Sequence, residues 1–206
     1  MHNLAQLFDG VPTSIISDSM RRIAGSRTLV PRHASGGVVG TAYTVKVRSG
    51  DNLYIHDALR KARPGQILVV DGEGHKERAL VGEIMMQVAR MRGLAGFIIY
   101  GAIRDSAAFK EHNFPCYSCW VTHQGPLKNG PGEHNVPVAI DNCVVSPGDI
   151  VVGDADGVVF VPQEKAQEIA ASSRKKMQAE ANVLAGIADG IYDDAWIDAA
   201  LKNQLV

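Results

Sequence analysis

The sequence predicts an α/β protein in which a sheet packs helices on one face and a second sheet on the other. Two observations predict this class. Helical and extended patterns alternate from residue 13 to about residue 111, and short strand-like segments with Pro and Gly turns follow over 115–161. Alternating helices and strands are typical of a sheet covered by helices, and a later block of short strands favours a second β layer.

The first half of the chain is predicted to alternate between helices and buried strands. Apolar residues at helical spacing indicate the helices, and short apolar runs bounded by Gly or Pro indicate the strands. The predicted segments are a helix over 13–24, a strand over 38–48, a helix capped by Asn52 and reaching about 62, a strand over 67–70, a helix within 76–92, a strand over 97–100 and a helix over 105–111. Met85, Met86 and Met91 lie at helical spacing and are predicted to be core residues.

The second half is predicted to end in helices. A helix of about 20 residues is expected from Gln163, and a short one near 193–203. We predict a single domain over 1–190 and a helical tail over 191–206. The tail carries apolar residues at 191, 192, 196, 197 and 201, a strip that packs either on a neighbouring subunit or on its own domain.

An internal similarity supports the layered sheet. Residues 63–74 and 146–157 match at six of twelve positions, and each copy is a Pro-Gly turn that leads into an apolar strand and then an acidic turn. Independent use of the same turn–strand–turn structure explains the similarity of the two segments, and an ancient duplication is the alternative.

Composition excludes several classes of protein. The 206 residues include 21 Lys and Arg against 22 Asp and Glu, with no concentrated basic segment, which argues against direct nucleic-acid binding. No apolar run is long enough to predict a membrane span, and the first residues lack the pattern of a signal peptide. Three cysteines, an odd number, favour a reduced cytoplasmic protein.

Two short motifs are interpreted as structural. Cys116-Tyr-Ser-Cys119 has the C-x-x-C spacing of metal or redox sites, but no second pair follows, and we interpret it as two packed strand cysteines. Asp154-Ala-Asp156-Gly157 fails the spacing of a calcium loop and is predicted to be a tight turn. The seven histidines show no metalloprotease pair.

The segment 97–105 is the strongest candidate for a binding site. An apolar strand runs into Gly101-Ala-Ile-Arg104-Asp105 and then into a helix. Side chains beyond the carboxyl end of such a strand face the crevice in which α/β proteins bind ligands. Arg104 offers a planar cation for a carboxylate, and Asp105 offers an oxygen ligand for Mg²⁺ or Mn²⁺. Gly82 lies near a helix start whose free amides could receive an anion. The alternative is that Arg104 and Asp105 are a helix-capping surface pair.

At these residues the chain resembles the RraA-like family. The motifs that carry the resemblance are Gly50-Asp-Asn-Leu53, Gly82-Glu83-Ile84-Met85, Gly93-Leu-Ala-Gly96, Gly101-Ala-Ile-Arg104-Asp105, Gly125-Pro, Gly132-Glu-His-Asn-Val-Pro137, Pro147-Gly-Asp149 and Asp156-Gly-Val-Val-Phe-Val-Pro162. They occur in the family's order and spacing over residues 13–190. The family includes 4-hydroxy-4-methyl-2-oxoglutarate and 4-carboxy-4-hydroxy-2-oxoadipate aldolases, oxaloacetate decarboxylases and regulators of ribonuclease E activity.

The resemblance implies a fold, an assembly and a site. It implies a layered β/β/α swivelling-type domain, a homotrimer or hexamer, and an active site between subunits. An acidic residue, twenty intervening residues and Arg-Asp form the aldolase signature, which Glu83, Arg104 and Asp105 meet here. By this resemblance Arg104 binds the substrate carboxylate and enolate, Asp105 binds Mg²⁺ or Mn²⁺, and the amides of Gly82, Glu83, Ile84 and Met85 hold the carboxylate of pyruvate. Glu180 corresponds to a catalytic acidic residue from a neighbouring subunit.

Two functions follow from the resemblance. The first is a metal-dependent lyase that cleaves small 2-oxo acids with two or three carboxylates, including oxaloacetate, to pyruvate, with Glu83 or Glu180 holding the water that accepts the hydroxyl proton. The second is a non-catalytic regulator that binds a ribonuclease. Ala108 departs from the family pattern, in which Glu or Asp often follows the signature Asp by three residues, and this favours decarboxylation over aldol cleavage.

Overall fold

The computed structural model describes residues 4–22 and 25–203, which form ten strands and six α-helices. The strands are β1 (Val30–Pro31), β2 (Val38–Val47), β3 (Gln66–Val81), β4 (Gly96–Ile103), β5 (Cys116–Val121), β6 (Gly132–His134), β7 (Val138–Ile140), β8 (Cys143–Val145), β9 (Ile150–Asp154) and β10 (Gly157–Val161). The helices are α1 (Thr13–Ser19), α2 (Leu53–Lys61), α3 (Glu83–Met91), α4 (Ser106–Glu111), α5 (Ala166–Ala188) and α6 (Ala195–Asn203). Short 3₁₀ helices lie at Leu4–Phe8 and Gln163–Lys165.

Four parallel strands form the centre of the molecule. The strand order of the main sheet is β1-β5-β4-β3-β2-β9-β10, in which β2, β3, β4 and β5 are parallel neighbours joined by α2, α3 and α4. Connections of one hand that always step in the same direction place their helices on one face of a sheet. Accordingly, one apolar cluster joins α2, α3 and α4 to that face, with Leu59, Met86 and Phe109 fully or almost fully buried.

The opposite face is covered by a smaller β layer. The two-stranded β7–β8 hairpin packs Val138, Ile140 and Val145 into a cluster with Val69 and Ile98 of the main sheet. The α/β class is thus confirmed, and the second sheet of the layered arrangement is this hairpin. A third cluster joins α1, α5 and the N-terminal 3₁₀ helix to β9 and β10.

Strand β3 is much longer than the segment 67–70 that its apolar run predicts, and the helix expected within 76–92 begins only at Glu83. Its pairing with β4 shifts register three times, between Asp71 and His75, between His75 and Ala79, and between Ala79 and Val81. Glu73 and Gly74 have φ of 59° and 65°, so the polar stretch leaves the ladder and Ala79–Val81 rejoins it. Leu80 and Val81 therefore belong to β3, although their spacing in the sequence predicts a helix. Register shifts allow a strand to hold extra residues, so its apolar residues need not alternate regularly.

Helix α1 ends earlier than the predicted 13–24. It stops at Ser19, and Arg21 and Arg22 have positive φ of 61° and 63°. Residues 23–24 lie outside the described residues. The prediction for Asn52 is half right: it occupies the N-cap position of α2, but its side chain bonds elsewhere.

One core prediction is wrong. Met85 and Met86 are buried, whereas Met91 is 75% exposed, as is Ile84 on the same helix. Helix α3 is short and turns only Met85, Met86 and Ala89 toward the sheet. Its Ile84 and Met91, seven residues apart, form an apolar stripe that the rest of the described chain does not cover.

The C-terminal helices project from the domain. Only the first part of α5 is buried, around Ile169, Ala170 and Ser173, and every residue of α6 whose side chain is described is exposed. The tail folds back on the end of α5, with the Ile191 amide bonded to the Gly186 carbonyl. The apolar strip of the tail therefore does not pack on the body of its own domain.

Several other structural predictions are confirmed. Pro64-Gly65 and Pro147-Gly148 form β-turns with left-handed glycines that lead into β3 and β9. The Asp154–Gly157 segment is the turn of the β9–β10 hairpin. Cys116 and Cys119 are free thiols in β5, and burial raises the pKa of each. Among the described residues, no helix is long and apolar enough to cross a membrane.

Candidate functional site

The candidate site lies where the parallel strands end. Strands β2, β3 and β4 each finish at the same edge of the sheet and are followed within a few residues by Asp51, Gly82 and Arg104. Each turn then leads into the helix that returns over the sheet. This edge is where α/β proteins most often bind ligands, and the topology brings together residues that are far apart in sequence.

Arg104 and Asp105 form the turn between β4 and α4. The Arg104 amide donates to the Val81 carbonyl at 3.0 Å, which continues the β3–β4 ladder to the last residue before the turn. Asp105 has φ of 53°, a left-handed conformation that is uncommon outside glycine and is typical of constrained turns. Its side chain is 44% exposed and that of Arg104 is 42% exposed. Both groups are therefore accessible to a ligand.

The Asp105 carboxylate also caps helix α3. Its Oδ2 accepts the Glu83 amide at 3.0 Å and lies 3.7 Å from Arg104 Nε. The prediction that this pair caps a helix is thus correct in part. The Asp105 carboxylate lies in the turn after β4, and the helix that it caps is α3, which follows the neighbouring strand β3. The contact with Nε is loose, so the guanidinium group keeps its other N–H donors for a ligand.

Gly82 is required by close packing against this pair. A Cβ atom at position 82 would lie 2.5 Å from Asp105 Oδ2 and 2.9 Å from Arg104 Cγ. Both distances are shorter than real contacts of a Cβ atom, so any side chain here would push Arg104 and Asp105 away. The glycine lets the turn after β4 approach the start of α3.

Two amides at the start of α3 remain free. Glu83 gives its amide to Asp105, and the first intrahelical bond runs from the Met86 amide to the Gly82 carbonyl. The amides of Ile84 and Met85 have no acceptor in the described part of the chain. Free amides at a helix start attract anions. Of the four amides expected to hold a carboxylate, only that of Glu83 has an acceptor among the described residues, so those of Gly82, Ile84 and Met85 are available for it.

A second wall comes from α2 and the loop after β5. Asn52 donates from Nδ2 to the Leu80 carbonyl at 2.9 Å and to Met85 Sδ at 3.3 Å. Its Oδ1 is buried and has no partner among the described atoms. If the side-chain amide were flipped, Oδ1 would face the Leu80 carbonyl, and two acceptors cannot form a hydrogen bond. The hydrogen bond to Leu80 therefore determines the orientation of the Asn52 amide.

His56 and Lys128 line the same wall. Burial, and to a smaller extent the positive charge of Lys128, holds the pKa of His56 below its ordinary value. Lys128 forms no ion pair with any described carboxylate. The ammonium group therefore keeps its charge available to a ligand.

These walls enclose a cleft of about 160 Å³. Its lining residues are Asn52, His56, Ala79, Leu80, Val81, Gly82, Ile84, Met85, Arg104, Pro126 and Lys128. This lining contains two cationic side chains and no carboxylate, so its electrostatics favour an anion.

The donor set at the cleft fits a weakly coordinated divalent cation. Asp105 is an exposed carboxylate beside the cleft, and the exposed Glu83 follows Gly82 directly. No cluster of three or more His, Cys, Asp or Glu occurs among the described residues that could enclose a metal ion. Mg²⁺ commonly binds through one or two carboxylates, with water and substrate as its other ligands. The residues present match that mode and do not form an all-protein cage.

The other predicted site residues fall in three places. Glu83 lies at the first position of α3, with an exposed side chain. Glu180 lies on α5, 3.7 Å from Lys176, and is not part of the cleft wall of its own chain. Ala108 is buried in the core on α4, so its methyl group does not line the cleft.

Sequence reasoning missed three residues of the cleft. Asn52 was interpreted only as a helix cap, and His56 and Lys128 were not singled out. The motifs Gly50–Leu53 and Gly125-Pro126 mark the two segments that meet here, since the Leu127 amide donates to the Gly50 carbonyl at 2.8 Å. No pattern in the sequence indicates that these segments are adjacent, because they come from separate turns.

Comparisons with known proteins identify the family and support the fold. The RraA-like family model, described as Aldolase/RraA, matches residues 13–160. A protein of Halalkalibacterium halodurans named "Putative 4-hydroxy-4-methyl-2-oxoglutarate aldolase" is 38% identical over 170 residues, which covers 82% of this chain and 81% of that protein.

Two solved structures are similar over most of the chain. An uncharacterized protein from Pseudomonas syringae has a TM-score of 0.83 and 25% identity and covers 91% of this chain and 89% of its own. The RNA-processing inhibitor RraA from Thermus thermophilis has a TM-score of 0.67 and 28% identity, covering 73% of this chain and 92% of its own.

Proposed function

The chain belongs to the RraA-like family, and on that premise we propose that it is a divalent-metal-dependent lyase that releases pyruvate from small 2-oxo acids. The substrates proposed are 4-hydroxy-4-methyl-2-oxoglutarate and related acids, and oxaloacetate. One observation carries the proposal: Arg104 and the start of α3, with its free amides, line a cleft that has two cationic and no acidic lining residues, and the Asp105 carboxylate lies beside it. Such a site suits a carboxylate that develops further negative charge during reaction.

In this proposal the 2-oxo acid end of the substrate binds at the start of α3. The Ile84 and Met85 amides donate to its carboxylate, and Arg104 donates to the oxygen that becomes the enolate. Asp105 and water hold Mg²⁺ or Mn²⁺, which when bound acts as a Lewis acid toward the keto group. Arg104 thus adds a fixed positive charge where the negative charge grows.

Bond cleavage leaves an electron pair on the pyruvate fragment. The C3–C4 bond breaks, its electrons form the enolate of pyruvate, and a proton then adds at C3. For a 4-hydroxy acid, a base must also take the hydroxyl proton, a role proposed for Glu83 or for Glu180 of a neighbouring subunit through a water molecule. For oxaloacetate the departing group is CO₂, and no such base is needed.

The proposed assembly is a homotrimer or hexamer. Glu180 is distant in the chain from the cleft and projects on α5, and the apolar stripe of α3 lies beside the cleft uncovered. A neighbouring subunit would cover the stripe and could supply Glu180.

The test is pyruvate release with each substrate in the presence of Mg²⁺, of Mn²⁺ or of a chelator, followed by coupling to lactate dehydrogenase. Arg104→Ala should lower kcat by about 10²–10³-fold, the usual cost of one lost oxyanion donor. Asp105→Asn should abolish the metal-dependent part of the rate. Lys110→Ala on α4 serves as the control and should match the wild type.

Pyruvate release that survives in Asp105→Asn, or none above the metal-only background with either substrate, would contradict the proposal. Because Ala108 departs from the family pattern of an acidic residue at this position, we expect oxaloacetate decarboxylation to exceed aldol cleavage. Equal rates for both reactions would count against this ranking.

A regulator of ribonuclease activity is the second candidate, favoured by the similarity to the Thermus RNA-processing inhibitor. In that case purified chain should bind ribonuclease E and lower its cleavage rate, while pyruvate release is absent. Arg104→Ala should then leave the inhibition unchanged. Turnover without ribonuclease binding would exclude this function.

A further inference from the structure

A second cavity, of about 520 Å³, lies where the end of β10 meets α1, α5 and the β7–β8 hairpin. It has about three times the volume of the cleft and shares no lining residue with it. Small-molecule sites in proteins commonly have volumes of about 300–1,000 Å³. The cavity is therefore large enough to hold an organic ligand of its own.

The floor of this cavity is apolar, because two hydrophobic clusters of the domain meet there. Phe160 belongs to the cluster that includes the β7–β8 hairpin, whereas Ile169 belongs to the cluster that joins α1 and α5 to β9 and β10. Both side chains line the cavity and are buried. The half-buried Met20 contributes to the same lining. The floor therefore suits the apolar part of a ligand.

Two cationic side chains line the cavity without a partner of their own. Arg21 follows the end of α1, and Lys165 precedes the first residue of α5. Neither side chain forms a hydrogen bond or an ion pair with any residue that the structure describes. By contrast, Arg22 and Lys176 both pair with Asp18, at 3.1 Å and 2.7 Å. Arg21 and Lys165 therefore remain available to an anion.

One carboxylate also belongs to the lining. Glu168 lies on α5, one turn after Lys165, and forms no ion pair with either cation. Two cations against one carboxylate leave the lining with an excess of positive charge. The charged side chains are exposed and the floor is buried, so a ligand can place its charged group near solvent and its apolar body on the floor. This combination fits an organic anion with an apolar body.

We propose that this cavity is a second ligand site, which binds an amphipathic organic anion with an aromatic or aliphatic body and one carboxylate group. The apolar body is assigned to the floor formed by Met20, Phe160 and Ile169. The carboxylate is assigned to Arg21 and Lys165. Because the site shares no residue with the cleft, ligand binding here does not depend on whether the chain releases pyruvate.

Cys143 provides a reporter of occupancy, because its thiol lines the same cavity. The residue is half-buried, and its Sγ donates to the Gly25 carbonyl at 3.1 Å. Cys116 and Cys119 are buried in β5, where burial raises the pKa of each thiol, so both should react much more slowly. A ligand in the cavity should therefore shield Cys143 from a neutral disulfide reagent.

The test compares two probes that differ in charge, 4-phenylbutyrate and 4-phenylbutyramide. Their dissociation constants are measured by calorimetry, and occupancy is measured as slower reaction of Cys143 with 4,4′-dithiodipyridine, with Cys143→Ser to identify that reaction. One variant combines Arg21→Gln with Lys165→Met and removes both cations, and Glu168→Gln removes the carboxylate. Lys175→Met removes an exposed cation of α5 that does not line the cavity and is the matched control.

In the wild type we expect 4-phenylbutyrate to bind about 5- to 10-fold more tightly than the amide, the effect of charge-assisted contacts in a partly exposed site. It should also slow the labelling of Cys143. Removal of both cations should abolish the preference and leave the affinity for the amide unchanged, whereas Glu168→Gln should increase the preference. Lys175→Met should match the wild type, and so should Arg104→Ala, because Arg104 lies in the cleft.

The proposal would be overturned by no measurable binding of 4-phenylbutyrate, by equal affinities for the two probes, or by a preference that survives the removal of both cations. Binding that leaves the labelling of Cys143 unchanged, or that is lost in Arg104→Ala, would place the probe elsewhere and would also overturn it. If the double variant does not fold, Val144→Glu replaces it, with Val144→Gln as its neutral control. Val144 is an exposed residue of the same lining, and a carboxylate there should repel the anion.

Discussion

The small size of Gly82 determines where Arg104 and Asp105 lie. Gly82 has extended backbone angles that any residue can adopt, so its requirement is one of space and not of conformation. The space is occupied by Asp105 Oδ2 and Arg104 Cγ. Arg104 and Asp105 can therefore keep these positions only if residue 82 has no side chain.

We predict that Gly82→Ala inactivates the site without unfolding the protein. The added methyl would lie 2.5 Å from Asp105 Oδ2, so Asp105 must move and release the Glu83 amide. Pyruvate release should fall by about 10²-fold or more, in the range for a lost oxyanion donor. Thermal unfolding should show a midpoint near that of the wild type, and a collapse of the midpoint would contradict the local explanation.

His56 gives a second prediction at this scale. Its pKa is depressed mainly by burial, so the fold favours the neutral ring. The stabilisation this provides is present above the unfolded pKa of about 6.5 and is lost as the pH falls through the lower folded pKa. We expect the thermal midpoint to fall between pH 7.5 and pH 5, and the fall to be smaller in His56→Gln.

The exposed His123 provides the control for this prediction. His123→Gln should retain the full pH dependence of the wild type. An unchanged pH dependence in His56→Gln would show that other groups govern acid stability.

At the scale of elements, helices α1 and α3 are each capped by a carboxylate from a distant turn. Asp105 caps α3, and Asp154, in the β9–β10 turn, caps α1. Asp154 accepts the Thr13 amide at 2.8 Å through Oδ2 and the Thr13 hydroxyl at 2.7 Å through Oδ1. Because Pro12 at the N-cap position has no side-chain acceptor, the helix start depends on tertiary contact.

We predict that Asp154→Ala lowers the free energy of unfolding by about 1–2 kcal/mol, the usual cost of a lost cap and its hydrogen bonds. Urea denaturation with tryptophan fluorescence measures this. Asp156→Ala, in the same turn but bonded through its backbone amide only, should cost less. Equal losses for the two variants would assign the effect to the turn and not to the cap.

At the scale of the whole molecule, two of the exposed apolar surfaces of the described chain lie on helices. One is the α3 stripe of Ile84 and Met91, and the other is the C-terminal arm, where Ile187, Ile191 and Trp196 are exposed. Exposed apolar groups at this density are typical of protein interfaces. A nine-residue helix such as α6 is marginal in water without packing partners.

We therefore expect sedimentation equilibrium to give three or six times the 22.1 kDa mass of the chain. Met91→Glu combined with Trp196→Glu should shift the mass toward the single chain, because each places a charge on apolar surface that an interface would bury. Lys110→Glu on α4 is the control and should leave the mass unchanged. A single-chain mass for the wild type would contradict the proposed assembly.

The sequence by itself determined the α/β class, the alternation of elements and the pairing of Arg104 with Asp105 at the end of a strand. These follow from local information: apolar runs, helical spacing and turn residues specify elements over a few positions. The Pro-Gly turns before β3 and β9 and the strand cysteines of β5 were predictable for the same reason.

Only the tertiary structure decided how long β3 is, which side of α3 is buried and what faces Arg104. The register shifts of β3 depend on its pairing with β4, and the exposure of Met91 depends on where α3 meets the sheet. Asp51 and Asn52 meet the loop around Lys128 through hydrogen bonds to Leu127 and Asn129, between turns nearly eighty residues apart. Local sequence patterns do not indicate such contacts, because they form only when the parallel strands align their carboxyl ends at one edge of the sheet.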